Sequence, residues 1–150
     1  MLQTKSADIH FFSQGVRLYL RNRRALKSFL QELFKKEGKK LESLNYIFCT
    51  DEALLSINKT YLKHDYYTDI ISFDLSDKGL PVKGEIYISL DRVKANAKSF
   101  RTTIKEEIHR VIFHGALHLC GYKDKTSAEI NEIRSRECFY LKKYGISCST

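Results

Sequence analysis

The stretch from Thr103 to Asp124 constrains this chain more than any other. Ile104, Ile108, Val111, Ile112 and Leu119 recur at helical spacing, and they make a helix over Thr103 to Cys120 apolar on much of its surface. Such a helix belongs at the centre of a fold. On it His114 and His118 stand four residues apart, so their Cβ atoms share a face about 5–6 Å from one another. Gly121 supplies the helix stop, because the residue just past a helix commonly takes the left-handed conformation that glycine adopts without a steric penalty. The chain can then turn back and carry Asp124 to the two imidazoles. Two nitrogens and a carboxylate oxygen suit zinc, and three protein ligands leave a fourth position open for water. An open zinc site points to hydrolysis. Cys120 is two residues from His118, roughly 200° around the helix, and so points to the other face.

Around this helix the pattern alternates between strand and helix. Ile9–Phe12 reads as a first strand, and Arg23 to about Glu37 as an amphipathic helix through Leu26, Phe29, Leu30, Leu33 and Phe34. Leu44–Cys49 is a second strand, with Thr50 or Asp51 placed to cap the helix of Leu54, Leu55, Ile57, Asn58 and Tyr61. Thr68–Phe73 and Gly84–Ser89 are the third and fourth strands, able to form a hairpin across a turn with Asp77-Lys-Gly79 and Pro81. Helices over Asp91–Phe100, Thr103–Cys120 and Ser127–Lys142 follow. The expected fold class is α/β (α+β): one domain over residues 1–150, with about four strands in a mixed sheet and about five helices, one of them a zincin-like metal helix.

The net charge of +8 among 150 residues favours an anionic partner, of which nucleic acid is the commonest. Basic residues gather in Arg21–Arg24 and Lys35–Lys40, positions that equally suit a solvated helix face and a helix C-terminus. No apolar run approaches the roughly 20 residues of a membrane span. The segment Met1–Asp8 lacks the basic start and apolar core of a secretory signal, so the expected compartment is the cytoplasm. There Cys49, Cys120, Cys138 and Cys148, widely spaced and without a C-x-x-C pair, are expected as four free thiols, with no disulfide-linked partner.

The pattern H-x-x-x-H-x-x-G-x-x-D resembles the metzincin zinc signature, whose last ligand is usually histidine. Two residues argue against a peptidase. Gly115 stands where H-E-x-x-H enzymes carry their general base, and Met1 is the sole methionine, which removes a methionine turn beneath the metal.

His114-Gly-Ala-Leu-His-Leu-Cys-Gly-Tyr122 instead resembles the YbeY family of bacterial metallo-endoribonucleases, whose motif reads H-G-x-L-H-L-x-G-Y-D-H. Asn58-Lys-Thr-Tyr61, Thr68-Asp-Ile-Ile-Ser-Phe73 and Gly84-Glu-Ile86 are similar to that family's N-x-x-Y-R, T-D-V-L-S-F and G-D-I. The chain departs from the family at Asp124, where a third histidine is usual, at Lys123 in place of aspartate, at Leu62 in place of arginine, and at Tyr67 in place of proline. A carboxylate is a competent zinc ligand, whereas leucine cannot donate a hydrogen bond to phosphate. Lys63 or His64 is placed to supply that charge.

The resemblance implies a single-strand-specific, zinc-dependent endoribonuclease of ribosome biogenesis, acting in 16S rRNA 3′-end maturation and late 70S quality control. Its implied partners are single-stranded RNA, ribosomal RNA and the small ribosomal subunit. One Zn²⁺ per chain, held by His114, His118 and Asp124, would lower the pKa of bound water towards about 7 and so supply the nucleophile for phosphodiester hydrolysis. Lys63 and His64 are the candidate RNA contacts, with Tyr66 and Tyr67 available for base stacking. Asp69 and Glu85 are open to roles as base or as partners of the histidines, and equally to plain sheet-surface roles. His109 falls about 140° off the ligand face and reads as structural. Two other readings stay open: an RNA-binding protein with a purely structural zinc, and a metallopeptidase.

Overall fold

A computed structural model describes residues 6–149. The first five positions of the Met1–Asp8 segment, Met1 included, and Thr150 lie outside the described residues. Strands β1 (Asp8–Ser13), β2 (Leu41–Cys49), β3 (Ile70–Asp74) and β4 (Val82–Ser89) form one sheet in the order β1-β2-β4-β3. Helices α1 (Arg23–Lys36), α2 (Asp51–Leu62), α3 (Leu90–Ser99), α4 (Ile104–Leu119) and α5 (Ser127–Lys143) complete it. β1, β2 and β4 run parallel, and β3 pairs antiparallel with β4 as the expected hairpin. The sheet is therefore mixed, and the α/β expectation of four strands and five helices holds. β2 and β4 start at Leu41 and Val82, earlier than their apolar runs suggest, because Leu41 pairs with Val82 across a β-bulge.

Strand periodicity decides which face each helix covers. Leu44, Tyr46 and Phe48 of β2 and Gly84, Ile86 and Ile88 of β4 are buried, and the side chains among them join α1, α4 and α5 in the main core. The opposite face carries Cys49 and Ile71, packed under Leu54 and Ile57 of α2. Thr50 caps α2, its hydroxyl accepting from Ala53 N at 3.1 Å, which leaves the Asp51 carboxylate to Ser89 and Arg92.

α4 packs against the sheet where two glycines leave no space for a side chain. A Cβ on Gly115 would sit 2.9 Å from the terminal carbons of both Ile70 and Ile86, and one on Gly84 would collide with Leu119. The Tyr46 hydroxyl donates to Ile112 O at 2.8 Å, tying the helix to β2 two residues before His114.

One expectation is overturned. Cys138 and Cys148 are joined in a disulfide, while Cys49 and Cys120 are free and buried. The chain reverses after α5 through Gly145, at φ 89°, and returns Cys148 to within a Cα separation of 5.4 Å from Cys138. That lies in the usual range for a disulfide. A spacing of ten residues carried no local sign of it.

Candidate metal centre

The Thr103 hydroxyl caps α4, accepting from Glu106 N at 3.0 Å, and a Schellman turn ends it. In that turn Tyr122 N donates to Leu117 O at 3.1 Å and Gly121 N to His118 O at 3.0 Å, with Gly121 at φ 107°. The reversal brings Asp124 over the last turn of the helix. His114, His118 and Asp124 each offer one ligand atom within 4.8 Å of the others, as their spacing predicts.

Hydrogen bonds set the histidine tautomers. His114 Nδ1 lies 2.6 Å from Glu137 Oε2, and His118 Nδ1 lies 2.9 Å from the Tyr122 carbonyl oxygen. Carbonyl and carboxylate oxygens accept, so both Nδ1 atoms donate, and in the neutral rings this leaves the Nε2 atoms as the lone pairs for an ion. Those two nitrogens stand 3.4 and 3.2 Å from Asp124 Oδ2. Ligands about 2.0–2.1 Å from a tetrahedral ion are separated by about 3.3–3.4 Å, so the donor types suit zinc and these two separations match its spacing.

Charge around the centre is dense and mostly paired. Arg110 reaches Glu137 at 3.2 Å, Glu106 at 3.5 Å and Glu107 at 3.6 Å, three carboxylates on two helices. Burial pushes Glu107 up to about 7 and raises Asp69 as well. Burial works against the charged form of His114, yet the Glu137 hydrogen bond, with the charges of Glu137, Asp124 and Asp69, holds its pKa above the ordinary value. Burial lowers His109, whose Nδ1 is bound to Lys105 O at 2.7 Å, which fits the structural role expected of it. Cys120, pushed up to about 12 by burial, packs in the core away from the ligands.

The three candidate ligands open onto a groove of about 1580 Å³ lined from α2, the segment before β3, β3 itself, the end of α3, α4 and α5. Of the candidate RNA contacts, His64 lines it, stacked on Tyr66 and accepting or donating at 2.9 Å to its hydroxyl. Lys63 ends α2 in a left-handed conformation, is exposed, and is not part of the lining. Tyr67 is drawn off to Glu52 and Arg92, and the Glu85 carboxylate is taken by the Tyr87 hydroxyl. Asp69 does line the groove. Asn58 explains its place in the first motif: buried, it donates to Tyr66 O at 2.9 Å and so holds the loop that carries His64.

Residues 13–145 match the sequence model of the family described as Endoribonuclease YbeY. The chain belongs to the YbeY endoribonuclease family. The endoribonuclease YbeY of Cytophaga hutchinsonii is 48% identical over 133 residues, 89% of this chain and 93% of that protein. That of Parabacteroides distasonis is 43% identical over 121 residues, 81% of this chain and 84% of that protein. The solution structure of TM1509 from Thermotoga maritima has the same fold, with a TM-score of 0.61 at 24% identity over 91% of both chains.

Sequence reasoning missed Glu137, which touches a candidate ligand from another helix. A sign of it was present. Glu137 interrupts the buried stripe Ile133, Tyr140, Leu141 of α5, and a carboxylate on an apolar stripe needs a buried partner.

Proposed function

We infer that this chain, as one domain over residues 1–150, is a metal-dependent, single-strand-specific endoribonuclease of ribosomal RNA maturation, working in the cytoplasm with one zinc ion per chain. The observation that carries this is the convergence of His114 Nε2, His118 Nε2 and Asp124 Oδ2 on one point of an open groove. His114, His118 and Asp124 hold the ion, which when bound supplies Lewis acidity and an acidified water at neutral pH.

The remaining work falls to the chain itself. Glu137 and the Tyr122 carbonyl keep both imidazoles turned towards the ion, which raises their basicity as ligands. The absence of room at Gly115 keeps a peptidase-type glutamate out of the centre. Leu62, 42% exposed, lines the groove where the family pattern has arginine, so positive charge for the RNA backbone must come from elsewhere. Lys125, Arg134 and Lys142 supply it from the opposite wall. No helix among the described residues is long and apolar enough to cross a membrane.

Elemental analysis of the purified protein, paired with a cleavage assay on single-stranded and duplex RNA with and without a chelator, tests this. About one zinc per chain and chelator-sensitive cleavage of the single strand are expected. Undiminished cleavage by metal-free protein overturns it.

A further inference from the structure

Asn131, Ser135, Cys138 and Lys142 recur on α5 at intervals of three or four and together face the metal groove. Phe139 sits at the edge of that face, lines the same groove, and is 38% exposed. One step further around the helix, Tyr140 and Lys143 meet Phe29, Lys35 and Lys36 of α1 along a second, smaller cleft. Phe139 is thus the ridge between the two.

Three cations from two helices gather around this ring. Arg136 Cζ lies 4.5 Å from its centroid, Lys36 Nζ 5.2 Å and Lys143 Nζ 5.8 Å. Arg136 is held there by Glu37 at 2.6 Å. Lys36 and Lys143 make no ion pair among the described residues. An exposed aromatic ring gains from an apolar or π partner, and two unpaired ammonium groups beside it gain from an anion. A nucleotide with an unstacked base offers both at once, and a single strand such as the RNA of the ribonuclease reading presents these nucleotides in series. An acidic protein segment would satisfy the lysines and leave the ring unused.

We propose that Phe139, with Lys36, Arg136 and Lys143, is a nucleotide-stacking subsite that holds single-stranded RNA beyond the metal centre, an inference that rests on the ribonuclease reading of the groove. RNA cleaved at the centre runs along α5, its backbone on Arg134 and Lys142, and one base of the distal stretch lies on the Phe139 ring while Lys36 and Lys143 take its phosphates. The subsite therefore acts on long substrates and not on those too short to reach it.

The test compares zinc-loaded protein on single-stranded oligoribonucleotides of about 20 and about 4 nucleotides, the short one at the lower end of common single-strand site sizes. Phe139→Leu keeps the apolar contact and removes the π-face, whereas Phe139→Tyr keeps both. With the long RNA, Phe139→Leu is expected to raise KM about fivefold or more at unchanged kcat, and Phe139→Tyr to behave as the parent. With the short RNA neither variant changes KM. Lys36→Gln combined with Lys143→Gln is expected to lessen the salt dependence of long-RNA binding by about 1.4 in log–log slope, the value for two phosphates on a single strand. An unaltered long-RNA KM for Phe139→Leu in a protein that still cleaves RNA overturns the subsite and leaves the nuclease reading in place. Parent protein that neither binds nor cleaves RNA overturns both. Loss of acidic-peptide binding with RNA binding intact assigns the patch to a protein partner and overturns the proposal.

Discussion

Glu137 Oε2 stands 2.6 Å from His114 Nδ1, so the last helix of the fold determines which nitrogen of His114 is turned towards His118 and Asp124. Arg110 holds the other oxygen of the same carboxylate at 3.2 Å, and the Glu137 side chain is only 4% exposed. With so little solvent to screen it, the carboxylate is committed to these two partners. His118 is served differently, by the backbone of its own helix turn.

Glu137→Gln is therefore expected to weaken zinc binding about 10- to 100-fold, the usual cost of losing a partner behind a ligating histidine. Titration against a zinc buffer checks this. Affinity equal to that of the parent would show the bond to be incidental.

Asp124 is the candidate ligand at which the sequence departs from the motif it resembles. Asp124→Ala should lose zinc and RNA cleavage together, since it leaves two protein ligands where structural and catalytic zinc sites use at least three. Asp124→His should restore both, because imidazole reaches zinc at about the same distance as carboxylate. Metal content and cleavage measured on the same preparations decide the matter.

Gly115→Ala would place a methyl carbon 2.9 Å from Ile70 and Ile86 side-chain termini in a buried layer. Overpacking of this kind costs about 1–3 kcal/mol. Urea denaturation should show that loss, and a stability equal to that of the parent would show that the layer has room to give.

Glu107 gives the fold a pH dependence. Its carboxyl is pushed up from 4.5 to about 7 by burial, so between those values the folded state holds a proton that the unfolded state has released. Its favourable contribution is complete below pH 4.5 and is lost as pH rises to 7, at up to about 3 kcal/mol for a shift of this size. Glu107→Gln removes that loss. Its stability advantage over the parent is expected to grow from pH 5 to pH 8 in urea titrations, and a constant difference would refute the assignment.

The ligand set was legible because each of its parts is local. His114 and His118 share a face by helical period, Gly121 turns the chain by its own φ, and Asp124 follows three residues later. Most element bounds were legible for the same reason, Thr50 and Thr103 marking helix starts through hydroxyls that bond the amide three residues on. Gly115 and Gly84 looked like motif letters, and only the distance between α4 and the sheet shows that they make room.

Residues that depend on how α5 crosses α4 were not legible. Glu137 and Arg110 meet across 27 positions of sequence, and Arg134, Lys142 and Phe139 reach the groove only because one face of α5 forms its wall. The Cys138–Cys148 bridge, which overturned the expectation of free thiols, depends in turn on the reversal after α5. Sequence by itself determined the elements, the core stripe of α4 and the convergence of His114, His118 and Asp124, since backbone preference and side-chain period act over a few residues. Tertiary structure alone decided what stands behind each candidate ligand and what lines the groove, since those contacts are chosen by the packing of whole helices.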